Sequence, residues 1–414
     1  MGFESSSLNR RTLAISAGAA VLAAGTASRA FAQDASPVAG EGPAGAGLPP
    51  LPEGATVVAS GLYNPRYIAL ADDGTLYVTE QGTGGEEVLT APAPEGTPAA
   101  TPVVEGTPAA AEEEEAISRG FTGQVTQVAP DGTQSVAIGG LASYSIGVGP
   151  VGIAIQDGIV FFSIGGSAVE AGIEPLEGEN GLHRFDPATG EITQVAEFNT
   201  YEIENNPDGT DVNPNLYAVS VGDSDGRLTV NDAGSNTIFS VDAESGEITL
   251  RGIAPDLNAL TANDEEGAIT DDPPRQSVPT GGTFVGTAYH YTNLSEGWPP
   301  NGPSIVKVDG DGQFATFTSI FRGGSFVTGL ATGPDGKIYF SQLFDDPAGP
   351  PMGSVYRVNT ADGTAESVVQ GLMMPHGIAF DGDGNLYVTV YALVSGPGMP
   401  AGVVARFDGI AVPA

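Results

Sequence analysis

Residues 374–390 read MPHGIAFDGDGNLYVTV. Here a proline-led apolar run meets an Asp-Gly turn, and a second apolar run follows, which is the pattern of two antiparallel strands joined tightly. The same unit returns five times. Its first strand recurs as NPRYIAL (64–70), GPVGIAI (149–155), PNLYAVSV (214–221), VPTGGTFV (278–285) and VTGLATG (327–333). Its second recurs as GTLYVTE (74–80), GIVFFSI (158–164), GRLTVND (226–232), TAYHYTN (287–293) and GKIYFSQ (336–342). Third strands follow as GQVTQVAPDG, GLHRFDPATG, NTIFSVDAESG, PSIVKVDGDG, GSVYRVNTADG and GVVARFDG. Six copies at roughly one blade length each predict an all-β, six-bladed propeller of four-stranded sheets. The sixth copy stops after its third strand, and ATVVASGL (55–62) matches the fourth-strand pieces SVAIGGL and SVVQGL. The last blade is therefore expected to be closed by the N-terminal strand, which leaves no open sheet edge.

Residues 1–32 carry Arg10 and Arg11, a mildly apolar Ala/Gly-rich stretch and Ala30-Phe31-Ala32. This reads as a Tat-type signal peptide cleaved after Ala32, and so as an exported protein with no transmembrane segment in the mature chain. Residues 33–54 read as a flexible Pro/Gly-rich linker and 55–414 as the propeller. The tract 84–118, with EGTPAA twice and the run Glu112 to Glu115, reads as a disordered acidic and Pro-rich insertion. The 414 residues hold 14 basic and 51 acidic side chains, for a net charge of −37. Removing the leader takes three of the basic residues and one of the acidic ones, so the mature chain is more acidic still. That surface excludes nucleic acid as a partner, since phosphate binding needs basic groups. Absence of cysteine excludes disulfides, thiol nucleophiles and thiolate metal sites.

A propeller blade brings the start of strand one and the end of strand two to the same channel mouth. The strand-one positions are Arg66, Val151, Tyr217, Thr280, Thr328 and His376; the strand-two positions are Glu80, Ile164, Asp232, Asn293, Gln342 and Val390. The polar members, Arg66, Glu80, Tyr217, Asp232, Thr280, Asn293, Thr328, Gln342 and His376, are the candidate ligand-binding set. Within it Glu80, Asp232, Asn293 and His376 are candidate ligands for a divalent cation such as calcium, because hard ions take carboxylate and amide oxygens. A plainer reading pairs Arg66 with Glu80 and makes Asp232 a turn cap. His183 and His290 fall inside strands and read as structural. Asp381-Gly-Asp383-Gly-Asn385 begins like a calcium loop, yet Leu386 stands where glycine is required, so it reads as a turn. No G-x-S-x-G elbow, HExxH pair or phosphate loop occurs. No catalytic residue can be assigned from the sequence.

The stretches NPRYIALADDGTLYVTE, NPNLYAVSVGDSDGRLTVNDAGSNTI, SVPTGG with NLSEGWPPNGPSIVKV, and MPHGIAFDGDGNLYVTV resemble the ScyD/ScyE family of exported bacterial proteins. The resemblance runs over about 55–414 and implies an NHL-like propeller outside the cytoplasm, with no catalytic residues to carry over. Blade four departs from the family pattern, with TGGTFVGTAYHY in place of a Gly-Pro-Asp-Gly turn. The readings that follow are a binding or scaffolding protein for a small molecule or protein, a metal-dependent hydrolase or lyase, and a calcium-responsive surface or matrix adhesion protein.

Overall fold

Asp-Gly turns form where the sequence places them because glycine accepts positive φ without steric cost. Gly74 and Gly384 sit at φ 86° and 84°. The preceding acids lock the turns: Asp73 accepts the Thr75 N–H at 2.8 Å and Asp381 accepts the Asn385 N–H at 2.9 Å. Asp381 also takes the Asn385 amide and the Tyr387 hydroxyl, so this segment is the turn its sequence suggests.

The computed structural model describes residues 48–89, 117–222, 226–261, 275–294, 302–324, 326–346 and 349–413. The chain opens with β1 (Thr56–Leu62) and then builds blade one from β2 (Pro65–Leu70), β3 (Leu76–Glu80), β4 (Glu87–Leu89), β5 (Ile117–Val128) and β6 (Gln134–Tyr144). Blade two holds β7 (Pro150–Gln156), β8 (Ile159–Ile164), β9 (Gly181–Asp186) and β10 (Glu191–Glu197), with a helical turn α1 (Ala168–Ala171) before β9 and helix α2 (Phe198–Asn205) after β10. Blade three is β11 (Leu216–Val221), β12 (Arg227–Asp232), β13 (Thr237–Asp242) and β14 (Ile248–Ile253); blade four is β15 (Pro279–Val285), β16 (Ala288–Asn293), β17 (Pro303–Asp309) and β18 (Thr316–Arg322). Blade five is β19 (Val327–Thr332), β20 (Ile338–Gln342), β21 (Met352–Asn359) and β22 (Thr364–Met373), and the last contributes β23 (Ile378–Phe380), β24 (Leu386–Val390) and β25 (Gly402–Phe407). β1 pairs antiparallel with β25, Thr56 opposite Arg406 and Leu62 opposite Gly402, and completes the sixth sheet. The fold is thus the six-bladed propeller, with its ends joined in one blade.

Two details differ from the sequence reading. Residues 48–54 are held against the protein: Pro49 accepts the Tyr391 hydroxyl at 2.6 Å, and Leu48 and Leu51 pack on the apolar cluster of blade six. The 84–118 tract also begins and ends in the sheet, because Glu87–Leu89 pairs with residues 117–119. Residues 1–47 and 90–116, on which the expected leader and most of the expected linker and insertion fall, lie outside the described residues.

The innermost strands β2, β7, β11, β15, β19 and β23 touch in succession and close the ring at β2. Five of them carry the same irregularity against their second strand: the register slips between Pro65 and Ile68, Pro150 and Ile153, Leu216 and Val219, Pro279 and Gly282, and Val327 and Leu330. One extra residue on strand one makes each a β-bulge, which bends the strand and re-aims its side chains.

Opposite the bulge stands a short polar side chain that ties its blade to the next. Thr79 accepts the Tyr67 N–H and donates to Val151 O; Ser163 accepts from Gly152 and donates to Tyr217 O at 2.6 Å. Thr292 accepts from Gly281 and donates to Thr328 O, and Ser341 accepts from Gly329 and donates to His376 O. Thr389 closes the circle, accepting from Gly377 and donating to Arg66 O, both at 2.8 Å. In blade three the longer Asn231 spans the gap, its amide donating to Thr280 O at 2.9 Å and Gly281 O at 3.1 Å. The glycines let the blades approach: a β-carbon at Gly329 would meet His376 O at 2.2 Å, and one at Gly377 would meet Arg66 O at 2.2 Å.

Leaving a buried donor or acceptor without its partner costs about 1–3 kcal/mol. Thr389→Val keeps the shape and removes both hydroxyl bonds, leaving Gly377 N–H and Arg66 O only their direct bond of 3.1 Å at the closure of the ring. Its urea midpoint is expected to fall by an amount equal to about 1–3 kcal/mol; an unchanged midpoint would contradict the stitching role.

Candidate functional site

The bulge decides which side chains face the channel. Tyr67 follows Arg66 at the position held by Gly152, Ala218, Gly281, Gly329 and Gly377 in the other blades. Its ring is buried, and its hydroxyl donates to Thr328 O of blade five at 2.7 Å. Tyr217 of blade three and His376 of blade six meet across the channel, where Tyr217 Oη and His376 Nε2 share a hydrogen bond of 2.7 Å. Tyr67 stands edge-on to both, with ring centroids 6.1 Å from Tyr217 and 5.2 Å from His376.

All these groups are buried. Burial, and then the Arg66 charge, hold the His376 imidazole well below its ordinary 6.5, while burial raises the Tyr217 and Tyr67 hydroxyls. The pair is therefore neutral on both sides near pH 7. Arg66 reaches Ala392 O at 3.1 Å, Gly147 O at 3.4 Å and the Gln81 side-chain oxygen. Its acceptors among the described residues are all neutral, and burial lowers its pKa to about 10. It does not pair with Glu80. Above this layer Val278, Leu294, Phe326, Leu343, Phe344 and Met374 form one apolar cluster with Tyr67 and Tyr217. These residues flank the starts of first strands and the ends of second strands, so the described residues at that mouth are packed apolar side chains.

The strand-two set goes elsewhere. Glu80 accepts the Tyr63 N–H at 2.6 Å, the Gln124 amide at 2.9 Å and the Thr126 hydroxyl, and burial raises its pKa. Asp232 accepts three backbone N–H groups, from Asn215, Gly234 and Ser235, and so does cap a turn. Asn293 accepts the Val278 N–H, and Gln342 donates to Asp345 at 2.9 Å. Thr280 bonds Thr292 and Val327 O. Strand alternation explains the outcome: Thr79 faces the next blade, so its neighbour Glu80 faces the opposite side. The structure thus brings Arg66, Tyr217, His376 and the Thr328 backbone together around Tyr67, and leaves Glu80, Asp232 and Asn293 apart from His376. Among the described residues no three His, Asp or Glu side chains form a metal-holding group. His183 stacks on Phe162 and bonds Gly178 O, and His290 bonds Ala288 O.

Two cavities lie away from the predicted set. One, of about 250 Å³, opens at the far ends of the first strands, over Tyr67 and between Ser220, Thr283, Phe284, Thr332 and Phe380. Another, of about 490 Å³, runs between the loop around α1 and helix α2, past Ile173, Glu179, Glu197 and Ile203. Tyr67 was the residue the sequence reading passed over. Its signal was present, since an aromatic side chain stands where four repeats have glycine.

A six-bladed propeller with a side-chain-filled channel is the class that fold and site define. No protein-family model and no curated protein matches the chain. Among solved structures it superposes on a gluconolactonase of Xanthomonas campestris with a TM-score of 0.50 and 10% identity, covering 86% of this chain and 89% of that one. A second protein, named as a candidate gluconolactonase, gives a TM-score of 0.50 and 12% identity over 88% of this chain and 96% of its own. At such identity the likeness is one of fold.

An imidazole held neutral by burial takes up its proton only on unfolding, so His376 withdraws stability as pH falls below 6.5. His376→Gln removes that term. The stability gap between wild type and variant is expected to shrink by roughly 1.4 kcal/mol per pH unit below 6.5; a gap constant from pH 7 to 5 would contradict the buried neutral imidazole.

Proposed function

We propose that this chain is an exported propeller of the ScyD/ScyE type that binds, rather than transforms, a small molecule or a protein. The observation that carries this reading is the double tie across the channel, Tyr67 to Thr328 O and Tyr217 to His376. With those ties Tyr217 and His376 are almost fully buried among the described residues, so a substrate would reach the pair only if the channel repacked. A metal-dependent hydrolase or lyase would need Glu80, Asp232, Asn293 and His376 around one ion, and their hydrogen bonds point them to separate partners. The funnel over Tyr67 offers hydroxyls from Ser220, Thr283 and Thr332 beside apolar walls, a lining suited to a small ligand held without chemistry.

Export rests on Arg10-Arg11, the short apolar stretch and the Ala-Phe-Ala site. No helix among the described residues is long and apolar enough to cross a membrane.

Purified mature protein incubated with sugar lactones, aryl esters and uronate polymers is expected to show no turnover above blank, with or without calcium. Turnover that His376→Ala or Tyr217→Phe abolishes would overturn the binding reading. For export, Arg10→Lys with Arg11→Lys is expected to retain uncleaved precursor inside the cell; unchanged release of mature protein would contradict the Tat route.

A further inference from the structure

Helix α2 hangs between blades two and three. Glu197 caps its start, accepting the Asn199 and Thr200 N–H groups, and Asn206 ends it in the left-handed conformation at φ 37°. Phe198 and Tyr201 anchor it, their rings 5.2 and 5.3 Å from Phe239 of β13. That anchoring draws the next residue, Glu202, under the surface, where it is 1% exposed. Neither of its carboxylate oxygens has a hydrogen-bond partner among the described residues.

Asp232, also 1% exposed, ends β12 and caps the turn whose Asn236 amide holds Asp208 in the loop that follows α2. Its Oδ1 is spent on the N–H groups of Asn215, Gly234 and Ser235, and its Oδ2 has no partner. Asn206 adds a buried side-chain oxygen, also without a partner. At the rim Asp208 is held by Thr210 and by the Asn236 amide at 3.1 Å. Burial pushes Glu202 up to about 8, with the charges of Asp232 and Asp208 adding to it, and burial raises Asp232 to about 6. Buried carboxylates in this state demand a cation or a proton.

We propose that Glu202 and Asp232 hold a calcium ion between blades two and three. Their three unspent carboxylate oxygens and the Asn206 amide oxygen are hard donors, with no nitrogen or sulfur to favour a softer metal. A bidentate glutamate in an irregular set suits calcium, which accepts about 6–8 oxygens, better than magnesium, which requires a near-ideal octahedron. No third acidic or imidazole ligand joins them among the described residues, so backbone carbonyls and water complete the shell. The ion would pin α2 to the segment that leads into β11. Asp232 already fixes Asn215 there, two residues before Tyr217. The metal therefore steadies the channel closure from outside it.

The test uses mature protein at pH 7.5. Protein purified without chelator is expected to carry close to one calcium per chain by mass spectrometry. After EDTA treatment its Tm is expected to rise by several degrees with added calcium and by less than half as much with equal magnesium. Glu202→Gln relieves the repulsion between carboxylates, so its Tm in EDTA should equal or exceed that of the wild type, with no calcium response. If Glu202→Gln does not fold, Asp232→Asn takes its place in the titration. Equal responses of wild type and variant would mean diffuse binding to an acidic surface and would overturn the site. So would a wild type with no bound calcium and no response, gaining stability instead as pH falls from 8 to 6, which is the signature of a shared proton.

Discussion

Everything in this propeller depends on how closely one blade can approach the next at the channel wall. The distance is set by a polar side chain at the penultimate position of each second strand, Thr79, Ser163, Asn231, Thr292, Ser341 or Thr389. In five blades a hydroxyl joins a strand-one N–H of its own sheet to a strand-one carbonyl of the next. Such a bond needs the backbones nearly in contact, and the glycines of the bulge supply that contact. Because the relay runs from blade six back to blade one through Thr389 and Arg66 O, a single misplaced blade would break two links at once.

The same bulge produces the interior chemistry. Five of the six first strands carry the extra residue, and at the corresponding positions Arg66, Tyr217 and His376 gather around Tyr67. At the next position, where four blades have glycine, blade one places Tyr67, whose hydroxyl reaches Thr328 O across the channel. The result is a packed junction of three rings and a guanidinium whose acceptors among the described residues are neutral oxygens. A buried cation inside a strongly acidic protein marks this junction as electrostatically distinct from the surface.

The blade count and the closing strand were legible because repeat periodicity is local to the sequence. The strand-two ring was misjudged for an equally local reason. Glu80, Asp232 and Asn293 sit one residue beyond the stitching side chain, and a pleat alternates every residue, so they turn to the opposite face. The burial of Glu202 had no sequence signal at all, since the helix YEIEN has acids on several sides and only the packing of Phe198 and Tyr201 on Phe239 selects the one that goes under. The 48–54 segment was misread because composition alone decided it, whereas Leu48 and Leu51 place their apolar side chains against blade six.

Native-state hydrogen exchange of the amides that donate to side-chain hydroxyls tests the inter-blade relay most directly. Gly152, Gly281, Gly329 and Gly377 lie outside ordinary ladder bonds at these donors, yet the relay predicts that their amides exchange only through global opening, with closely similar protection. Exchange at the rate of the outer strands, or protection that differs widely from blade to blade, would contradict it.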